Sequence, residues 1–262
     1  MPVRVVVSGS GNMGREVIAV VAREPDMEPV GVLEKFAQGE TFDTSAGALP
    51  ISADAQALIE RVKPDVIIDF TNAEWTPQFA LAAVERGVRL VIGTTGLSED
   101  FIAKLDTACR ERGVGAVIAP NFAIGAVLMI HMAKIAARFF ESAEIIELHH
   151  DKKVDAPSGT AMSTAQEMLS ARGRPFERNV PKIEPLAGVR AAETGGITIH
   201  SVRLPGLVAH QEVLFGGQGQ TLRIRHDTIG RDSFMPGVIL ATREVMQRKE
   251  LVRGLEALFG LS

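Results

Sequence analysis

The stretch Gly9-Ser10-Gly11-Asn12-Met13-Gly14 constrains the fold most, because of what surrounds it. It follows a short apolar run, residues 3–7, suited to a strand buried on both faces, and opens a helical pattern over residues 15–23. A second strand pattern, residues 28–33, ends at Glu34, twenty positions beyond Gly14. Glycine-rich turns are common, but strand, glycine turn, helix and a distal acid in this order are the context of a dinucleotide-binding turn. Gly9 would allow the tight turn, Gly11 would let backbone approach a pyrophosphate, and Gly14 would let the helix pack on the strand. The N–H groups that open the helix would then face the phosphates. Glu34 would bind the adenosine ribose hydroxyls of NAD(H), whereas Lys35 could meet the 2′-phosphate of NADP(H), so both cofactors stay open.

Strand patterns recur at residues 66–69, 88–92 and 114–119, separated by helical patterns at 53–61, 77–86 and 99–112. Such alternation predicts an α/β fold with a Rossmann-type parallel sheet. Ligands bind such sheets at the C-terminal strand ends. Two loops fall there: Asp69-Phe70-Thr71, and Gly93-Thr94-Thr95-Gly96 before Ser98, a predicted N-cap with Glu99 and Asp100 in its first turn. Their backbone and hydroxyl groups suit a nicotinamide ribose or carboxamide.

The pattern changes at Ala119-Pro120-Asn121-Phe122. An apolar helix over 126–140, a strand over 143–148, a turn at 157–160 opening a helix that continues through 168, and a polar stretch over 171–184 lead to strands at 195–202, 207–215 and 221–226. The expected organisation is a dinucleotide-binding domain, 1–122, and a smaller α+β domain, 123–229, with a mixed sheet. A helical tail, about 230–262, is expected to pack back on the first domain.

Composition narrows the class. With 262 residues, 46% hydrophobic and 23% charged, the chain reads as globular. A net charge of −4 gives no basic surface for nucleic acid. No apolar run approaches the roughly 18 residues of a membrane span, and the start goes directly into a strand without signal-peptide character. One cysteine, Cys109, permits no intrachain disulfide, so a cytoplasmic protein is expected.

The chemistry concentrates in Glu147-Leu-His149-His150-Asp-Lys-Lys153-Val-Asp-Ala-Pro-Ser158-Gly159-Thr160-Ala161. Histidines and a lysine follow a strand and face a helix N-terminus, which suits an anion that must also receive a proton. Lys153, the Gly159 and Thr160 amides and the Thr160 hydroxyl would hold carboxylates; His149 or His150 would supply the proton. Adjacent histidines on a strand point to opposite faces, so only one would face the reacting atom, and no metal site is expected. The nearby Glu, Asp and Ser residues form no recognisable triad.

These motifs resemble the bacterial dihydrodipicolinate reductase (4-hydroxy-tetrahydrodipicolinate reductase) family over nearly the whole chain: Gly9 to Gly14, Glu34, Asp69 to Thr71, Gly93 to Gly96, Ala119 to Phe122, and Glu147 to Ala161. The last run is the specific one; the glycine turn is shared with many enzymes. The resemblance implies reduction of a cyclic imine dicarboxylate by NADH or NADPH in diaminopimelate and lysine biosynthesis. By that similarity His149 is the acid/base residue, Lys153 the proton donor or polarising cation, His150 a substrate contact, and Ser158, Gly159 and Thr160 the carboxylate site. It implies cofactor contacts from Gly9, Ser10, Gly11, Asn12, Met13, Gly14, Glu34, Lys35, Phe70, Thr71, Gly93, Thr94, Thr95, Ala119, Pro120, Asn121 and Phe122. It also implies a homotetramer assembled through the second domain. Many relatives carry one more residue in the glycine loop and Arg in place of Lys35, which bears on cofactor preference and leaves the reaction intact. Two alternatives share the scaffold: another amine or imine dehydrogenase, and a non-catalytic NAD(H)-sensing protein.

Overall fold

The computed structural model describes residues 1–261 and divides into two compact units. One comprises Met1–Ile124 with the segment from Arg231 onward; the other is Gly125–Gly230.

In chain order the first unit runs β1 (Val3–Ser8), α1 (Asn12–Val21), β2 (Met27–Leu33), β3 (Thr41–Thr44), β4 (Gly47–Ser52), α2 (Ala55–Val62), β5 (Val66–Asp69), α3 (Thr76–Glu85), β6 (Arg89–Ile92), α4 (Glu99–Arg112) and β7 (Ala116–Ile118). After α5 (Ile124–Ala137), the second unit contains β8 (Ser142–His149), α6 (Gly159–Arg172), β9 (Ala192–Thr194), β10 (Ile197–Arg203), β11 (Ala209–Gly217) and β12 (Gln220–Thr228). The chain then adds α7 (Met235–Val245) and β13 (Leu251–Arg253) to the first unit.

The first sheet has the order β13-β7-β6-β5-β1-β2-β4-β3. All its pairings are parallel except β3 with β4. Its central strands are continuous apolar runs because helices cover both faces; Val66, Ile67, Ile68 and Asp69 are all buried. The chain leaves β1 for β2 on one side and later returns to β5 on the other. The C-terminal ends of β1 and β5 therefore meet at the reversal of strand order, where open α/β sheets bind ligands.

Two expectations are corrected. The tail expected as helix over about 230–262, of which residue 262 lies outside the described residues, is not one helix: α7 stops at Val245, and Leu251–Arg253 becomes an edge strand pairing with Ala116–Ile118. The open edge of β7 supplies partners that a continued helix would leave unpaired, and Gly254, at φ +83°, turns the chain away. Arg253 then grips Glu99 through its two terminal guanidinium nitrogens, at 2.9 and 2.7 Å. At the other edge, residues 41–52 form a β3–β4 hairpin where the sequence reading placed no strand.

The second sheet is mixed, in the order β12-β11-β8-β10-β9. β8 and β10 run parallel; the remaining pairs are antiparallel. Its core joins Ile145, Ile199, Val213 and Phe215 to Ala133 and Ala137 of α5 and Ala161, Ala165 and Met168 of α6. Among the described residues, no helix is long and apolar enough to cross a membrane.

Candidate active site

In the first unit, β1 ends in a turn that begins with Gly9 at φ +100°, a conformation open to glycine. The Gly9 N–H donates to the Leu33 carbonyl at 2.8 Å, tying the turn to the end of β2. A side chain at Gly14 would collide with the Gly9 carbonyl, so the protein itself requires this glycine. Gly11 differs: a Cβ there would meet nothing within 4 Å. No side chain caps α1, whose backbone ladder starts with Arg15 donating to Gly11 at 3.0 Å. The amides of Asn12, Met13 and Gly14 are thus the unpaired donors of a helix start, facing open space above Gly11. This cradle fits a pyrophosphate.

Glu34 lies at the edge of that turn. Its Oε2 accepts from the Ser10 N–H at 2.9 Å and the Ser10 hydroxyl at 2.8 Å, and its Oε1 accepts from the Phe36 N–H at 3.2 Å. Burial alone would raise its pKa, but these three donors together hold it below the usual carboxylate range. Lys35 is exposed, with its ammonium 5.4 Å from the centre of the Phe36 ring.

The two threonine loops are organised by Asp69, which is fully buried at the end of β5. Its carboxylate accepts from the hydroxyls of Thr71 and Thr76, each at 2.6 Å, and of Thr94 at 2.7 Å. The Thr94 oxygen also accepts from the Thr71 N–H at 3.0 Å, joining one loop to the other. The hydroxyls of Thr71 and Thr94 therefore point inward to Asp69, while Thr95 is exposed at the sheet edge. A Cβ at Gly93 would overlap the Phe70 ring, which packs edge-on to Phe122 with centroids 5.3 Å apart. Asn121 accepts from the Ala123 N–H at 2.8 Å, Pro120 is exposed, and Ala119 is buried. Cys109 lies inside α4, and burial pushes its thiol up to about 12, which removes it as a nucleophile.

In the second unit, His149 is the last residue of β8 and His150 lies just beyond, exposed. His149 Nδ1 is 2.5 Å from Glu147 Oε2; two residues apart on a strand, both side chains share one face. Arg203 grips the same carboxylate with two nitrogens at 2.8 Å each, and one of them donates to the Asp155 carbonyl at 2.7 Å. The Ser158 N–H donates to Glu147 Oε1 at 3.2 Å. Burial works to raise the Glu147 pKa, but Arg203, Ser201 and His149 together hold it below the usual range. Burial lowers the His149 pKa, Lys153 and Arg203 lower it further by charge, and Glu147 only partly offsets them.

Ser158 caps α6, accepting from the Ala161 N–H at 3.2 Å, and Met162 begins the helical ladder on the Ser158 carbonyl. The Gly159 and Thr160 amides are left for a ligand, and a Cβ at Gly159 would meet nothing within 4 Å. Lys153 donates to Asp155 at 2.7 Å. Sequence reasoning missed the Glu147–His149–Arg203 cluster. The i, i+2 spacing of Glu147 and His149 was an available signal; nothing local pointed to Arg203, 56 residues beyond Glu147. Among the described residues no group of three or more His, Cys, Asp or Glu side chains is placed to hold a metal.

Comparison with known proteins gives the same outline. Residues 3–122 match the family model described as dihydrodipicolinate reductase, N-terminus, and residues 125–259 match its C-terminal counterpart. A 4-hydroxy-tetrahydrodipicolinate reductase of Dehalococcoides mccartyi is 47% identical over 99% of both chains. One from Bacillus velezensis is 48% identical over 97% of both. A dipicolinate-bound dihydrodipicolinate reductase from Paenisporosarcina sp. TG-14 superimposes with a TM-score of 0.89 at 42% identity, covering 98% of this chain and 99% of that one.

Proposed function

This chain belongs to the dihydrodipicolinate reductase family, and from that premise we propose how its residues divide the reaction. It is an oxidoreductase that uses NADH or NADPH in diaminopimelate and lysine biosynthesis. The glycine turn with the uncapped start of α1 holds the cofactor pyrophosphate, and Glu34 with Lys35 meets the adenosine ribose. The loops at Phe70–Thr71, Gly93–Thr95 and Ala119–Phe122 border the nicotinamide, with Thr71 and Thr94 acting through backbone because Asp69 takes their hydroxyls. When bound, the reduced nicotinamide supplies the hydride that goes to C4 of the conjugated cyclic imine, formed by loss of water from the 4-hydroxy compound.

The second unit binds the dicarboxylate and supplies the proton. Lys153, the Gly159 and Thr160 amides and the Thr160 hydroxyl hold one carboxylate, with Ser158 fixing the helix start and His150 as a further contact. Hydride brings both electrons, so the product needs one proton, delivered by the His149–Lys153 pair. Burial first, and then the charges of Lys153 and Arg203, disfavour the charged form of His149 in the free site. A dianionic substrate opposes those charges and raises the imidazole's proton affinity when the proton is needed. Assembly is read as a homotetramer through the second sheet, whose face opposite α5 and α6 carries Ile146, Leu148 and Leu214 among polar side chains.

The observation that carries this reading is a histidine paired to a buried carboxylate at a strand end, beside Lys153 and the open amides of α6. Freshly generated 4-hydroxy-tetrahydrodipicolinate, with NADH and NADPH followed separately, tests it. Rapid oxidation of either cofactor is expected. Cofactor binding without oxidation would point to the sensor, and oxidation only with other imines would point to another dehydrogenase.

A further inference from the structure

The core-facing side of the second sheet is arranged in rows across its strands. Ile145, Ile199, Val213 and Ile224 form an apolar row. The next row toward the end of β8 is Glu147, Ser201, Gln211 and His226; the last is His149, Arg203, Ala209 and Thr228. A carboxylate thus stands where the apolar core would otherwise continue, and Glu147 is 0% exposed. Burying it serves no solvating purpose, and a hydrophobic side chain would pack there at lower desolvation cost.

Its partners show what the charge is for. One oxygen takes the His149 ring and an Arg203 nitrogen; the other takes the second Arg203 nitrogen and the Ser158 N–H. A carboxylate accepts and does not donate, so the shared proton at the 2.5 Å contact belongs to His149 Nδ1. A neutral imidazole with its proton on Nδ1 leaves Nε2 as the free ring nitrogen. The same carboxylate fixes Ser158, the residue that caps α6. We propose that Glu147 is the positioning residue of this site: it sets the His149 tautomer, aims Nε2 at the substrate and, with Arg203, ties that histidine to the start of α6. This rests on His149 being the acid/base residue. The charged groups facing the ring are Glu147 on its own strand, Arg203 on β10, and Lys153 with its partner Asp155 in the following loop.

Two measurements test the proposal. The first is nitrogen NMR of the histidine-labelled enzyme with NADH bound, with His149 assigned by its loss in the His149→Asn variant. The proposal requires the neutral ring to carry its proton on Nδ1; a proton on Nε2 overturns it without reference to turnover. The second is a double-mutant cycle with Glu147→Gln and His149→Asn. A glutamine cannot accept at all four positions, so kcat should fall on the order of 10²-fold, within the range that proton transfer contributes. In the His149→Asn background the same change should cost less than about twofold, because the group being positioned is gone. An equal loss in both backgrounds means that Glu147 acts only on the fold and overturns the proposal. Should Glu147→Gln not fold, the tautomer of the wild-type ring still decides. Full activity of His149→Asn would instead remove the acid/base reading while leaving the tautomer result standing.

Discussion

Alanine at Gly11 and at Gly14 should have opposite consequences, although both lie in one short turn. At Gly14 the added Cβ lands on the Gly9 carbonyl, which is held in place by the Gly9–Leu33 hydrogen bond at 2.8 Å. Backbone cannot swing aside as a side chain can, so overpacking should cost about 1–3 kcal/mol. For a chain of this size that corresponds to a Tm lower by roughly 2–12 °C. At Gly11, φ −74° and ψ −166° suit any residue, and a Cβ meets nothing within 4 Å. Restricting the unfolded chain gains about 0.4–1 kcal/mol. Exchanging glycine for alanine at an N-cap loses a comparable amount, about 0.5–1 kcal/mol, so the terms cancel to within about 1 kcal/mol. The methyl instead fills the space through which a pyrophosphate would reach the α1 amides, and a loss of about 1.4 kcal/mol already weakens binding tenfold. Titration calorimetry with NADH and thermal melts of both variants read the two effects. Gly11→Ala should melt near wild type and bind NADH at least about tenfold more weakly. Unchanged NADH affinity in Gly11→Ala would refute the assignment of this turn as the phosphate cradle.

Lys153→Ala should lower both kcat and substrate affinity, with kcat/KM down by roughly 10–150-fold for a charge-assisted bond of about 1.5–3 kcal/mol; near-normal steady-state kinetics would remove Lys153 from the site. Acidification should destabilise the protein in two stages. The unfolded chain binds the His149 proton first, so stability falls as pH drops below 6.5 toward the depressed folded value; Glu147 adds a second loss below 4.5. Urea midpoints from pH 8 to 4 check the sign, and His149→Asn should flatten part of the upper stage, which His226 shares because burial also lowers its pKa. Arg203→Met should lower stability by roughly 2–3 kcal/mol in urea unfolding, since it leaves the Glu147 carboxylate buried without its cation; the partial exposure of Arg203 keeps the figure low. A midpoint unchanged in Arg203→Met would mean that Glu147 is not held by that pair.

What the sequence reveals depends on whether burial or pairing decides the structure. β5 and β6 are buried on both faces, so Val66–Ile68 and Leu90–Ile92 read directly as apolar runs. β13 does not: Leu251–Arg253 is a strand only because β7 has an edge to offer. The β3–β4 hairpin is similar: Thr41–Thr44 is half exposed, and the short apolar run of β4, Ala48 to Ile51, is interrupted by Pro50. At the site, the glycines and the His149–Lys153 segment are visible because their chemistry is local. The inward turn of the Thr71 and Thr94 hydroxyls is not, because it is set by Asp69, whose buried carboxylate needs donors from both loops. Arg203 escapes for the same reason: its place beside His149 comes from parallel register between β8 and β10.

That register places the site within a mixed sheet. On the role proposed for His149, one ring nitrogen is held, and the group that holds it is an anionic, buried carboxylate bound in turn by Arg203. Glu147 and His149 share a face as i, i+2 neighbours on β8, and the neutralising cation comes from the adjacent strand β10. A parallel neighbour brings Arg203 opposite His149, one step further along than the carboxylate, so its guanidinium reaches back to both Glu147 oxygens and forward to the Asp155 carbonyl. On the other side, antiparallel β11 places the uncharged side chains of Ala209 beside His149 and Gln211 beside Glu147. Gln211 donates to the Thr164 hydroxyl at 2.8 Å, which donates to the Thr160 carbonyl at 2.7 Å, so β11 also steadies the first turn of α6.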